Sequence, residues 1–407
     1  MKYRYDIKIE DILALLCSLP IFIYSWAMTG SDAVSGELVQ KILTLLVPLF
    51  LILIWIHLPE EFCFTKRRIV ITLVLLAYFA LCLFYNYIGI GLSRGLTTIA
   101  CLTLLYQSEI VQSKTFMILK KAVIASCVLG MVLGVLLLLG LHGPPLADPV
   151  KSGRQYVSYI VVFFSRIVGS SSHDYWRFCG FYNEPGALGT FCAFFLCADS
   201  LDFKKKENII LLIGGAMTLS VAFFVIIGLY AVMRLATDWK YWILILLFVC
   251  FYFFVLPNIH TGISVIDTVI ERVSFDGDSI AGDHRTNYIM DRLYEETLHS
   301  NYIFFGRKLG YATSVSGSSV NLVGASIKTY IIDLGIMGTV LIFAPLFIAE
   351  SRRTKDNRDG FLFIVISYIS LYQRPHLLHN VAYFGIFLCG LSYILQNKNQ
   401  ISRYGIY

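Results

Sequence analysis

The chain has 407 residues, 57% of them hydrophobic and only 15% charged, with a mean hydropathy of +0.70. Soluble domains carry nearer a quarter charged residues, so this composition excludes a water-soluble enzyme and points to a protein embedded in a membrane. At about 20 residues per span, the length accommodates about a dozen helices with modest loops and no large soluble domain.

The net charge of +6 comes from 33 basic and 27 acidic residues. In a membrane protein such an excess reports cytoplasmic loops, so nucleic acid is not an expected partner. Of the ten cysteines, eight lie inside apolar runs, and no CxxC pair or His/Cys cluster occurs. Neither a disulfide framework nor a zinc site is indicated. The first apolar run lacks a small-residue cleavage site and reads as retained.

In chain order the apolar runs are 12–28, 42–58, 69–90, 92–106, 122–141, 185–201, 209–219, 221–233, 241–257, 325–349, 361–371 and 380–395. Basic clusters fall between alternate runs, at Lys2/Arg4/Lys8, Lys66/Arg67/Arg68, Lys114/Lys120/Lys121, Lys204/Lys205/Lys206, Arg234/Lys240, Arg352/Arg353/Lys355/Arg358 and Lys398/Arg403. These are 20 of the 33 basic residues, and the positive-inside rule assigns them to the cytoplasm together with both termini.

Residues 209–233 decide the parity. As one tilted helix they would put the two long polar loops on opposite faces; broken near Thr218-Leu219-Ser220, they form a shallow hairpin that leaves both loops outside. The hairpin is the preferred reading, because short broken segments are tolerated where protein buries them. The expected fold is all-α: one polytopic domain over 1–407, about twelve spans with one broken hairpin, and exterior loops at 142–184 and 258–324. Within the first loop, Tyr156–Val168 is apolar but too short to span and reads as an interfacial helix.

The two faces use different bases. The cytoplasmic clusters hold 12 Lys and 8 Arg, whereas the exterior holds 9 Arg and 4 Lys. Guanidinium forks match phosphate oxygens bidentately and tolerate partial desolvation, so a lipid-linked diphosphate would suit this face. Pairing with acids of the second loop, such as Asp291, Glu295 and Glu296, is the bland account of each single arginine.

At Trp176–Gly189 the sequence reads WRFCGFYNEPGALG. Pro185 suits a first helical turn, capped by Asn183 or Glu184. Arg177 is held a few residues away, and Glu184 beside it could act as a general base. In the second loop, Arg285 to His299 reads as a helix, followed by glycines and serines before a span starting near 319–325. Asp276-Gly277-Asp278 has a DxD form able to hold a cation, but the pattern is common in acidic turns and is set aside. His299, His376 and His379 lack metal-ligand spacing, and no Walker, GxSxG or HExxH motif occurs.

The RxxGxxxEPxxxG pattern at 177–189, the R…FG…G stretch at 285–310, IIDLGIMG at 331–338 and YQRP at 372–375 together resemble the O-antigen polymerase (Wzy-type) family. The likeness covers most of the chain in layout and about 40 residues in motif. It implies a metal- and cofactor-independent glycosyltransferase of the bacterial inner membrane. Such an enzyme joins undecaprenyl-diphosphate-linked oligosaccharide repeats at the outer, periplasmic face, in company with membrane lipid, a chain-length regulator and a flippase.

Carried across, Arg177 and Arg285 are the arginines of the two active loops, with Glu184 as the base and His299 the second choice. Arg292, Arg307, Arg374, His299, Tyr182 and Asn183 would contact diphosphate or glycan. Related ligases show a histidine before the Asn entering a late helix; here Ser319-Val320-Asn321 lacks it, which favours polymerase over ligase. A transporter or flippase of the same lipid-linked sugars is the rival class, but it would place charge mid-span and show inverted repeats. Only Lys328, Asp333 and edge residues such as Asp199 are charged in the spans, and no repeat is visible.

Overall fold

The computed structural model describes residues 8–24, 34–57, 62–85, 88–141, 154–159, 162–167, 176–182, 184–236, 239–262, 267, 270, 275–276, 279–280, 288–315, 327–372 and 380–404. Helix makes up 79% of it, as the apolar runs predict. In chain order the helices are α1 Ile9–Tyr24, α2 Val34–His57, α3 Lys66–Tyr85, α4 Ile88–Leu105, α5 Glu109–Leu138, α6 Pro185–Ala198, α7 Lys206–Met217, α8 Val221–Leu235, α9 Trp242–Cys250, α10 Tyr288–Leu298, α11 Tyr311–Val315, α12 Ile327–Arg353, α13 Arg358–Ser370 and α14 Val381–Tyr404. Among the described residues two helices, α5 and α12, are long and apolar enough to cross a membrane. The other apolar helices are shorter, and the expected count of about twelve spans remains an expectation.

The ends of these helices follow from local chemistry. Ser108 caps α5 by accepting from Val111 N at 3.3 Å, and Asn357 caps α13 by accepting from Gly360 N at 2.9 Å. Asn380 does the same for α14, taking the Ala382 N–H at 2.9 Å. At 30 residues, α5 is about 45 Å long. It packs along α14 and α1, and these helices form the centre of one large core.

At one end of the bundle the charged clusters lock together. Arg67 pairs with the fully buried Glu350 at 2.7 Å, and Arg353 bridges Glu350, Glu109 and Ser392 at 3.4, 2.8 and 2.8 Å. Asp199, also fully buried, takes Lys120, Lys205 and the Tyr393 hydroxyl. Lys114 holds Glu10 and Asp11, Arg234 donates to the Ser200 carbonyl, and Arg358 donates to that of Arg234. Residues that the sequence groups on one face thus meet at one end of the fold.

The 209–233 run is broken where a polar interruption stands. Helix α7 stops at Met217, Leu219 takes a φ of 48°, and α8 starts at Val221. The start of α7 touches the 199–205 turn through Asn208, whose Nδ2 donates to Asp202 O, and the end of α8 returns there through Arg234. The 218–220 tip instead lies against Gly189, at the start of α6. The pair is a short hairpin packed on α6.

One reading is overturned. The described residues of 156–168, namely 156–159 and 162–167, do not form an interfacial helix. They build two antiparallel strands, β1 Arg154–Tyr159 and β2 Val162–Ile167, to which β3 Arg177–Gly180 adds. The fold is therefore helical with a small sheet rather than all-α. Valine, isoleucine, tyrosine and phenylalanine dominate the segment and favour a pleated backbone, and the sheet has somewhere to bury them. Phe164 and Phe178 are almost fully buried, their rings 5.4 Å apart, against Gly130 and Gly134 of α5. A side chain on Gly130 would collide with the Phe178 ring. The hairpin α7–α8 is only 12 and 15 residues long, and β3 meets its tip through Arg177.

Candidate functional site

Two joints carry the motif stretches, and each lies about 20 Å along its helices from the charged end, at 1.5 Å per residue. The first joins β3 to the hairpin tip. Arg177 is 8% exposed; its Nε donates to the Thr218 carbonyl at 3.1 Å and Nη2 to that of Leu219 at 3.2 Å. These carbonyls are left over where α7 ends, and a buried carbonyl without a partner is costly. Arg177, expected as an arginine of an active exterior loop, therefore sits in packed structure. It is a structural cap as well as a cation.

Gly180 follows at φ 59°, which any other residue adopts with strain, and a Cβ there would press on Ser126 Oγ. The chain then turns into α6. Pro185 occupies the first helical position, as its fixed φ favours. Glu184 is the N-cap residue, half-buried, with extended backbone and no capping bond from its carboxylate. Asn183 lies outside the described residues. Tyr182, expected to face substrate, is 3% exposed and packs edge-on against Phe191 at 4.9 Å. Burial holds its phenol well above the usual tyrosine range. It is a core residue.

The second joint docks the 301–312 segment on a break in α12. Gly335 has φ 68° and ψ 179° inside that helix, so the groups normally paired within a helix are free at this point. Arg307 N donates to the Ile332 carbonyl at 3.0 Å, and Met337 N donates to that of Phe304 at 3.0 Å. Gly306, at φ 72°, lies with its backbone directly on Asp333 and Gly335, and a Cβ on either glycine would collide with main chain. Asp333 completes the joint: its carboxylate accepts from Gly310 N at 2.7 Å and Ala312 N at 2.9 Å. The FG…G and IIDLG stretches are two halves of one contact.

This contact positions Arg307. Its guanidinium lies 5.0 Å from the Tyr302 ring centroid and 5.1 Å from that of Tyr311, and Nη1 donates to the Tyr311 hydroxyl at 3.2 Å. Glu296 stands 3.8 Å away and also takes Arg292 at 2.9 Å. The structure thus brings Arg292 and Arg307 together through one carboxylate. Arg292 is 67% exposed at the side chain, on α10. His299 is 80% exposed and bonds its own helix at Glu295 O. Nothing described joins it to the arginines.

Of the expected helix from Arg285 to His299, Tyr288–Leu298 is described and helical, and Arg285 and Arg374 lie outside the described residues. Asp276 pairs with Ser279 in a two-strand ribbon, β4 Phe275–Asp276 and β5 Ser279–Ile280, while Asp278 also lies outside them. Lys328, noted from sequence only as a charge in a span, holds Asp291 at 2.8 Å and stands 5.3 Å over the Tyr294 ring. That pairing, 37 residues apart, leaves no local sequence signal.

One cavity adjoins the second joint and another lies at the opposite end of the helices. An apolar groove of about 600 Å³ runs between α12 and α13, lined by Ile327, Thr339, Phe343, Phe347, Tyr368 and Tyr372. Its Ile327 end adjoins Lys328 and the second joint, and Ile327 N donates to the Tyr372 carbonyl there at 3.3 Å. A polar cleft of about 600 Å³, lined by Asp199, Lys205, Arg234, Arg358 and Tyr393, lies at the charged end instead. Compared with protein-family models and with curated proteins, the chain matches none. Functional assignment therefore rests on the motifs and on these joints.

Proposed function

We propose that the protein is a multi-pass enzyme of a bacterial inner membrane that polymerises polyprenyl-diphosphate-linked oligosaccharides at the outer face. The observation carrying this reading is the division of the molecule. Ion-paired clusters are bolted together at one end, while the stretches that resemble the O-antigen polymerase family form two arginine-bearing joints far from it. The positive-inside rule makes the bolted end cytoplasmic and the joints exterior. Exposed leucines, isoleucines and phenylalanines along α2, α5, α9 and α12 suit contact with lipid rather than water.

In this reading the acceptor sugar hydroxyl attacks the anomeric carbon of the donor. Its bond to the diphosphate breaks, and Glu184 takes the hydroxyl proton. The polyprenyl diphosphate leaves with the electron pair, and direct displacement inverts the anomeric centre. Arg307, set against the rings of Tyr302 and Tyr311, and Arg285 hold the developing charge, a task in which pre-placed donors in a partly dried site are strong. Arg177 keeps the hairpin tip and the Glu184 turn in register. The groove between α12 and α13 suits the donor's lipid tail. No cation is needed, so extension by purified protein in excess EDTA should proceed at its normal rate.

One observation favours the transporter alternative: α12 is discontinuous and carries a buried carboxylate, a feature of secondary transporters. A single test separates the two. Reconstituted protein is given lipid-linked repeats on its exterior side and the products are sized. Polymerisation predicts chains of several repeats that disappear with Glu184→Gln, whereas movement of unchanged repeats across the bilayer would replace this reading by transport.

A further inference from the structure

The second joint leaves two large rings in the open. Phe304 and Phe305 are 57% and 79% exposed, yet their backbone is gripped on both sides. The Phe304 carbonyl accepts from Met337 N, Arg307 N donates to the Ile332 carbonyl, and Gly306 between them rests on the main chain of Asp333 and Gly335. Side chains on so fixed a backbone are aimed outward rather than left loose.

Their neighbours show what they are aimed at. On α12, Ile336, Met337, Val340 and Leu341 are exposed too, so the apolar surface of the helix continues into the two rings through the Met337–Phe304 bond. In the other direction Arg307 and an exposed Lys308 follow at once. Apolar helix, aromatic pair and basic pair stand in the order that a bilayer imposes from acyl chains through the boundary to the phosphates. A partner protein would have to match that gradient by chance.

We infer that Phe304 and Phe305 anchor this loop in the outer leaflet and hold Arg307 at the depth of lipid phosphates. The inference rests on α12 crossing a bilayer, as proposed above. Its consequence for the enzyme is a fixed working depth: a diphosphate presented by a membrane lipid arrives at the height where the guanidinium already waits.

The test places the photoreactive residue benzoylphenylalanine at position 305, at 341 or at 299 in the full-length protein. Each variant is reconstituted in vesicles of phosphatidylethanolamine and phosphatidylglycerol, irradiated, and read by mass spectrometry for phospholipid adducts. Position 305 replaces one exposed aromatic by another, so folding is not at stake. Adducts at 305 should be comparable to those at 341 and about tenfold above those at 299, as expected for an interfacial against an aqueous site. Adducts at 341 with 305 no higher than 299 would overturn the anchor while leaving α12 in the membrane. Cross-links from 305 to protein in place of lipid would overturn it as well. Absence of lipid adducts at both 305 and 341 would remove the membrane reading of α12 and the anchor with it.

Discussion

The two ends of this molecule handle charge in opposite ways. At one end Glu350 and Asp199 are fully buried, and each is surrounded by two or three cationic or hydroxyl partners from distant helices. At the joints Arg177 and Arg307 are set against backbone carbonyls and tyrosine rings, with Glu296 at 3.8 Å from Arg307 and Lys328 paired with Asp291 beside them. Carboxylate–cation pairs between distant helices fasten them and neutralise the charge there. Carbonyls and rings orient a guanidinium through its N–H groups and its faces and bring no negative charge of their own.

The largest expected effect is at the fastened end. Glu350→Ala leaves Arg67 and Arg353 facing a buried gap, and removing one partner of a buried pair costs about 3–5 kcal/mol. Thermal unfolding in detergent should show a large fall in Tm. A shift no greater than that of a surface variant would erase the contrast between the ends.

Next come the glycines of the second joint. Gly335→Ala and Gly306→Ala each force a Cβ into main chain at a positive φ, at a cost of about 1–3 kcal/mol. Because both open the same contact, the double variant should cost less than the sum. Additive losses would mean that the two sides do not act as one joint.

Arg177→Ala should cost about 1–3 kcal/mol by stranding two buried carbonyls. It should also abolish long polymer, and Arg177→Lys should recover part of the stability, since an ammonium reaches one carbonyl more readily than two. A variant as stable as the parent but without polymer would move Arg177 from the architecture into the chemistry. The smallest effect is expected at Arg292, where an exposed i,i+4 pair is worth about 0.3–0.5 kcal/mol. Arg292→Ala should leave Tm unchanged within error.

Much of the helical layout is legible from apolar runs, and the hairpin break shows as Thr218 and Ser220 interrupting an apolar stretch. The start of α6 is legible in Glu184-Pro185. The sheet is not, because YVSYIVVFFSRIV has neither clean alternation nor helical period. What decides for strands is room for Phe164 and Phe178 against Gly130 and Gly134, at least 30 residues away in sequence. The capping role of Arg177 is hidden for a related reason: the carbonyls it serves lie 41 and 42 positions on. The FG and IIDLG stretches are visible as motifs, but that one grips the other through main chain is a three-dimensional fact.

That grip between Gly306 and Gly335 has a consequence for how such a chain could diversify. The mount is made of peptide groups, so it is indifferent to the side chains carried on it. Tyr302, Arg307 and Lys308 could be exchanged while the backbone of the loop stays seated on α12 at the same angle. Evolution could change the chemistry this surface presents in a handful of substitutions, without refitting the helix beneath.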